Sequence, residues 1–212
     1  MRKPEAKWIF DAIADAPGPI LNLGSSTGEY RTVTQPHIDR EIFARLRFNG
    51  VEVVHADIKD APGVDIVGDV LDPYFISTLK THGFRTAIVS NVLEHVTDAE
   101  AVADACRQFV GPGGIICATG PNKYPFHADP IDTMYRPRPE DFAKLFNGVL
   151  LKQAIIVDGT LLDEVRSWPY FLAQSAWRLL NWPRNPLVAR GCASRLTYAF
   201  RPYKVSCALI RV

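Results

Sequence analysis

The sequence predicts an α/β protein whose core is a parallel sheet. Short apolar runs alternate with helix-like stretches from residue 8 to about residue 157, the pattern of strand-helix-strand units. Turn and capping residues separate these runs, and acidic residues stand where the second and third apolar runs end. A chain of 212 residues, 47% of them hydrophobic, suffices for one well-cored domain over 1–212, without internal repeats or low-complexity segments.

The first helix is predicted from Glu5 to Ala14, ending before Pro17-Gly18-Pro19, and Ile20 to Leu23 forms the first strand. Asp39 to Arg47 reads as a helix closed by Asn49-Gly50, and Val51 to Ala56 as the second strand, ending at Asp57. Between them, Glu29 to His37 is expected as a loop over a ligand. Strand three, Val64 to Val67, ends at Gly68-Asp69, and strand four is Thr86 to Ser90. Thr97 and Glu100 form a capping box for a helix that runs to Val110 and stops at Gly111-Pro112-Gly113-Gly114. Ile115 to Thr119 is strand five, followed by a Pro- and His-containing loop, a helix from Pro139 to Phe146 and a strand from Val149 to Val157. Tyr203 to Arg211 is the final strand.

Ligands of open parallel sheets bind beyond the carboxyl ends of the strands, beside free N–H groups. Gly24 and Gly28 bracket Ser25, Ser26 and Thr27 directly after the first strand, so the backbone can turn tightly and approach a ligand; a bare tight turn is the competing reading. Asp57 can accept from both hydroxyls of a ribose. Asp69 can accept from an adenine amino group while the Val70 N–H reads a ring nitrogen. Three such placements in order carry more weight than any one.

These segments, together with Asn91-Val92-Leu93-Glu94-His95 and the Gly111 to Gly114 turn, resemble the successive motifs of class I S-adenosylmethionine-dependent methyltransferases, of the type 11-like kind, over about residues 18–157. The resemblance implies a Rossmann-like, doubly wound sheet of seven strands, the last antiparallel, with helices on both faces. It implies S-adenosylmethionine as cofactor, held by Asn22, Gly24, Ser25, Ser26, Thr27, Gly28, Asp57, Ile58, Gly68, Asp69, Val70, Asn91, Val92 and Glu94. Asn22 stands where the family commonly has an acid and Ser26 where it has glycine. The alternative to a methyltransferase is therefore a catalytically degenerate, methyltransferase-like binding or scaffold protein. A nicotinamide oxidoreductase would share the glycine loop and ribose acid, but the G-x-G-x-x-G pattern is missing.

Residues 121–136 offer His127 as a general base near neutrality, with Asp129 or Asp132 orienting its ring, or as a histidine that pins the loop. His95 is a second candidate base. The Tyr124-Pro125-Phe126-His127, Pro130-Ile131-Asp132 and Tyr135-Arg136-Pro137 arrangement is similar to a loop of bacterial methyltransferases associated with polysaccharide and cell-surface glycan synthesis, which implies O-methylation of a saccharide or other small metabolite. No metal site is apparent.

Eight of the 24 basic residues and no acidic one lie in residues 165–212, leaving 16 basic against 23 acidic residues, a net of −7, in the rest. Helical spacing predicts an apolar face over residues 167–181, inside a basic, aromatic insertion of about 161–200. The stripe either packs on its own acidic body or contacts a membrane surface. No nucleic-acid module is recognisable. Asp11 and Asp15 interrupt any export signal, and Cys106, Cys117, Cys192 and Cys207 lack metal-ligand spacing, so a cytoplasmic protein with reduced thiols is expected.

Overall fold

A computed structural model describes residues 1–127, 130–164, 168–180, 191 and 197–212. The strands are β1 (Ile20–Leu23), β2 (Val53–Asp57), β3 (Ile66–Val67), β4 (Thr86–Ser90), β5 (Ile115–Lys123), β6 (Val149–Asp158) and β7 (Tyr203–Arg211). They form one sheet in the order β3-β2-β1-β4-β5-β7-β6. β1 to β5 are mutually parallel, and β7 runs antiparallel to both β5 and β6. Strand order reverses at β1 and β4, which opens a crevice at their carboxyl ends.

Residues of the central strands alternate between two cores, as the pleat requires. Leu21, Ala87, Val89, Ile116 and Ala118 face one cluster, with Phe75, Leu79, Val102, Phe109 and Phe142. These come from helices α3 (Pro73–Thr81), α4 (Ala99–Val110) and α5 (Pro139–Leu145). Ile20, Ile88, Ile115 and Cys117 face the other, with Ile9, Ile13, Ile42 and Leu46, from α1 (Lys3–Ile13), a π-helical turn at Asp39–Phe43 and α2 (Ala44–Phe48). The sheet is thus covered on both faces.

The structure corrects several expectations. Residues 29–37 are not an open loop: Tyr30–Thr34 forms a π-helical turn in which the Gln35 N–H donates to the Tyr30 carbonyl at 2.8 Å. Helix α3 was not read from the sequence, although Asp72 caps it through the Tyr74 N–H and Pro73 occupies its first turn. The cap of α4 is Asp98, whose carboxylate accepts from the Ala101 N–H at 2.9 Å, not Thr97. β5 continues past Thr119 to Lys123 because β7 pairs with it along that length.

Short helix α6 (Leu161–Glu164) and α7 (Trp168–Leu180) lie between β6 and β7 in the chain. The predicted apolar face of α7 is divided: Ser175 is buried, while Leu172 and Leu180 are exposed, as is Trp177 beside them. Arg166, Arg184, Arg190 and Arg195 of the basic insertion lie outside the described residues, as do Asp129 and Cys192. Among the described residues, no helix is long and apolar enough to cross a membrane.

Candidate active site

A cavity of about 680 Å³ lies at the carboxyl ends of β1 to β5, the size of a small-molecule site. Its walls include Asn22, Gly24, Ser25, Ser26, Asp57, Ile58, Gly68, Asp69, Val70, Asn91, Val92, His95 and His127. Most of the residues singled out in the sequence therefore converge on one space. Thr27, Gly28, Glu94 and Asp132 stand behind its walls.

Gly24 leaves β1 at φ +65°, and a Cβ there would lie 2.5 Å from Val92 Cγ2. Glycine is therefore required both by the left-handed turn and by the approach of the β4 loop. Ser26 adopts φ +53°, a conformation costly for a residue with a side chain. It is held there because its N–H donates to Asp57 Oδ2 at 2.6 Å, while the Lys59 N–H donates to Asp57 Oδ1 at 3.0 Å. Thr27 Oγ1 accepts from the Tyr30 N–H, and the Gly28 N–H donates to the Pro62 carbonyl. Both residues shape the loop from behind.

Arg31 escaped the sequence reading. It is buried, with Nη1 donating to the Ser25 and Ser26 carbonyls at 2.9 and 2.7 Å and Nη2 to the Gly63 carbonyl at 2.5 Å. The guanidinium thereby ties the glycine loop to the segment after β2. Burial lowers its pKa, against the charges of Asp65, Asp39 and Asp57.

Asn22 is buried, and its Nδ2 donates to His55 Nδ1 at 3.0 Å. That bond requires an unprotonated Nδ1, and burial accordingly pushes the His55 pKa down to about 4, helped by Arg31. The neutral amide at position 22 matches a neutral imidazole beneath it. Asp69 Oδ1 accepts from the Leu71 N–H at 2.9 Å, and a Cβ on Gly68 would lie 2.2 Å from the Phe75 ring. The close approach of α3 therefore fixes the turn after β3.

On the β4 and β5 side, the organiser is Glu5 of α1, which sequence reading also missed. This carboxylate is 1% exposed, and its Oε1 accepts from Asn91 Nδ2 at 2.7 Å, Thr119 Oγ1 at 2.7 Å and Ser90 Oγ at 3.3 Å. It fixes the orientation of Asn91, which has φ +53°. Partners so distant in sequence leave no local signal.

The loop after β5 is closed by Asp132. Its buried carboxylate pairs with Arg136 Nη2 at 2.7 Å and Nη1 at 3.0 Å and accepts from the His127 and Met134 N–H groups. Burial pushes the Asp132 carboxyl up, but Arg136 and these N–H groups outweigh it and hold it below the usual carboxylate range. His127 Nδ1 lies 3.2 Å from the Pro125 carbonyl and 3.3 Å from Asp132 Oδ2. His95 Nδ1 lies 2.6 Å from the Ile131 carbonyl. Both Nδ1 atoms thus carry a proton, and the rings meet edge to face with centroids 5.2 Å apart. Burial holds the His127 pKa below that of a free imidazole.

Glu94 is 1% exposed and its Oε1 has no hydrogen-bond partner among the described residues. Burial pushes its carboxyl up to about 7. It lies beneath His95, with Oε1 3.8 Å from His95 Nε2.

No protein-family model matches the chain, and no curated protein matches its sequence. Solved structures match its fold. A SAM dependent methyltransferase from Archaeoglobus fulgidus superposes with a TM-score of 0.55 at 12% identity, covering 100% of this chain and 95% of its own. A cyclopropane-fatty-acyl-phospholipid synthase-like protein from Lactobacillus casei gives 0.58 at 12% identity, over 99% and 90%. The [4+2]-cyclase SpnF gives 0.57 at 15% identity, over 99% and 80%. The chain therefore shares its fold with these structures, a SAM dependent methyltransferase among them. At such identities the likeness is one of architecture, and function has to be argued from the site.

Proposed function

We propose that the protein is an S-adenosylmethionine-dependent methyltransferase acting on a hydroxyl of a saccharide or other small metabolite. The observation that carries this reading is the convergence of Asp57, Asp69 and the Gly24 to Ser26 turn on one cavity at the reversal of strand order. Each Asp57 oxygen accepts one backbone N–H and retains capacity for a ribose hydroxyl. Asp69 and Val70 suit the adenine end, and the residues after β1 suit the methionine end. When bound, the cofactor supplies a methyl group on a positively charged sulfur.

The chain's own task is to align an acceptor with that methyl and to remove its proton. Asn91 and Val92 shape the centre of the cavity, and Glu5 keeps Asn91 in place. His127, neutral and with its Nδ1 proton directed toward Pro125 and Asp132, presents Nε2 as the base for an acceptor hydroxyl. Asp132 is a positioning residue, since it holds His127 from behind. Methyl transfer to a panel of saccharides tests the acceptor side. His127→Gln should lower kcat about 100-fold with cofactor affinity retained; unchanged kcat would remove His127 from the chemistry.

The scaffold alternative draws on Asn22, whose amide is committed to His55. If Asn22→Asp with Ser26→Gly creates cofactor binding that the parent lacks, that alternative is correct.

A further inference from the structure

We propose that Glu94, His95 and His127 bind a divalent first-row transition ion, zinc or ferrous iron by the donor set, at the acceptor side of the cavity. One donor atom from each residue lies within 4.8 Å of the other two. An ion with bonds of about 2.0–2.2 Å needs donors slightly closer than this, a closure on the order of 1 Å.

Two further observations point to a ligand. Glu94 Oε1 is buried, directed at His95 Nε2, and without a hydrogen-bond partner among the described residues; a buried carboxylate oxygen left so is costly unless something cationic completes it. The Nδ1 atoms of both histidines meet carbonyl or carboxylate oxygens, the outer support that fixes the tautomer of metal-bound imidazoles. Two histidines and one carboxylate are a donor set of catalytic zinc and of non-haem iron. His95 and His127 line the cavity while Glu94 closes the buried side, so open coordination positions would face an acceptor.

An ion here lowers the pKa of a bound hydroxyl. His127 would then be a ligand in place of the base role given above, and the proton of the metal-bound hydroxyl would pass to solvent water at the cavity mouth, leaving the oxygen to take the methyl. The site rests on the acceptor-side geometry alone, so metal binding is measured without S-adenosylmethionine, and failure of either reading leaves the other standing.

The test is titration of the full-length, chelator-treated protein with Co²⁺, followed by its visible absorption, and displacement by Zn²⁺. One equivalent should bind at micromolar metal, and His127→Ala and Glu94→Gln should each weaken it at least about tenfold. His127 is 36% exposed, so its variant keeps the fold even if Glu94→Gln does not, as circular dichroism will show. No uptake at millimolar metal, or uptake that His127→Ala leaves unchanged, overturns the proposal; a Glu94–His95 ion pair would give the first result.

Discussion

On the β1 to β3 side of the cavity, the carboxylates are tied to backbone close by. Asp57 accepts from Ser26 and Lys59, and Asp69 from Leu71. On the β4 and β5 side, side chains depend on other side chains: Asn91 on Glu5 of α1, and His127 on Asp132 of its own loop. Glu94 Oε1 meets none among the described residues. The first side is a cradle of turns, suited to a ligand of fixed shape. The second is a set of poised side chains, suited to chemistry and to a variable acceptor.

The comparison breaks first at Glu5. Glu5→Ala strands the donors of Asn91 and Thr119 in a buried setting and should cost about 4 kcal/mol, read by urea unfolding. A loss below about 1 kcal/mol would mean that the second side does not depend on α1.

His55 sharpens the account of the first side. Its folded pKa of about 4 lies below the unfolded value of about 6.5, so between these values the unfolded chain takes up a proton that the folded chain does not. Its contribution is fully retained above pH 6.5 and lost as pH falls toward 4, by up to about 3 kcal/mol. His55→Gln should flatten this window relative to the parent. Asn22→Asp should raise the His55 pKa, visible by NMR titration, because a carboxylate favours the protonated ring.

Asp57→Ala should weaken cofactor binding about 100-fold, since the lost carboxylate serves both the loop and the ribose. Ser26→Gly is the smallest change. It relieves a left-handed residue but loosens the unfolded chain, so stability should shift by less than about 1 kcal/mol.

What was legible in the sequence follows the same division. Gly24, Asp57 and Asp69 announce themselves because each sits where an apolar run ends, although Asp57 also reaches Ser26 in the turn after β1. Arg31 and Glu5 do not, since Arg31 reaches Gly63 and Glu5 reaches Thr119 across segments that only the finished sheet brings together. Thr97 and Asp98 show the limit of local rules: both can cap α4, and the carboxylate takes the position while Thr97 lines the cavity. The helix of residues 73–81 buries only Phe75 and Leu79, too short a stripe to stand out against its polar neighbours. His127 was legible as a candidate base, whereas the buried, unpartnered Glu94 oxygen was visible only in three dimensions.

The central claim is that the turns after β1, β2 and β3 hold S-adenosylmethionine. Calorimetric titration of the protein with S-adenosylmethionine and S-adenosylhomocysteine tests it most directly, with Asp57→Ala as the control. The account predicts one site of micromolar affinity that the substitution weakens about 100-fold; absence of heat at millimolar ligand, or binding indifferent to Asp57, would contradict it.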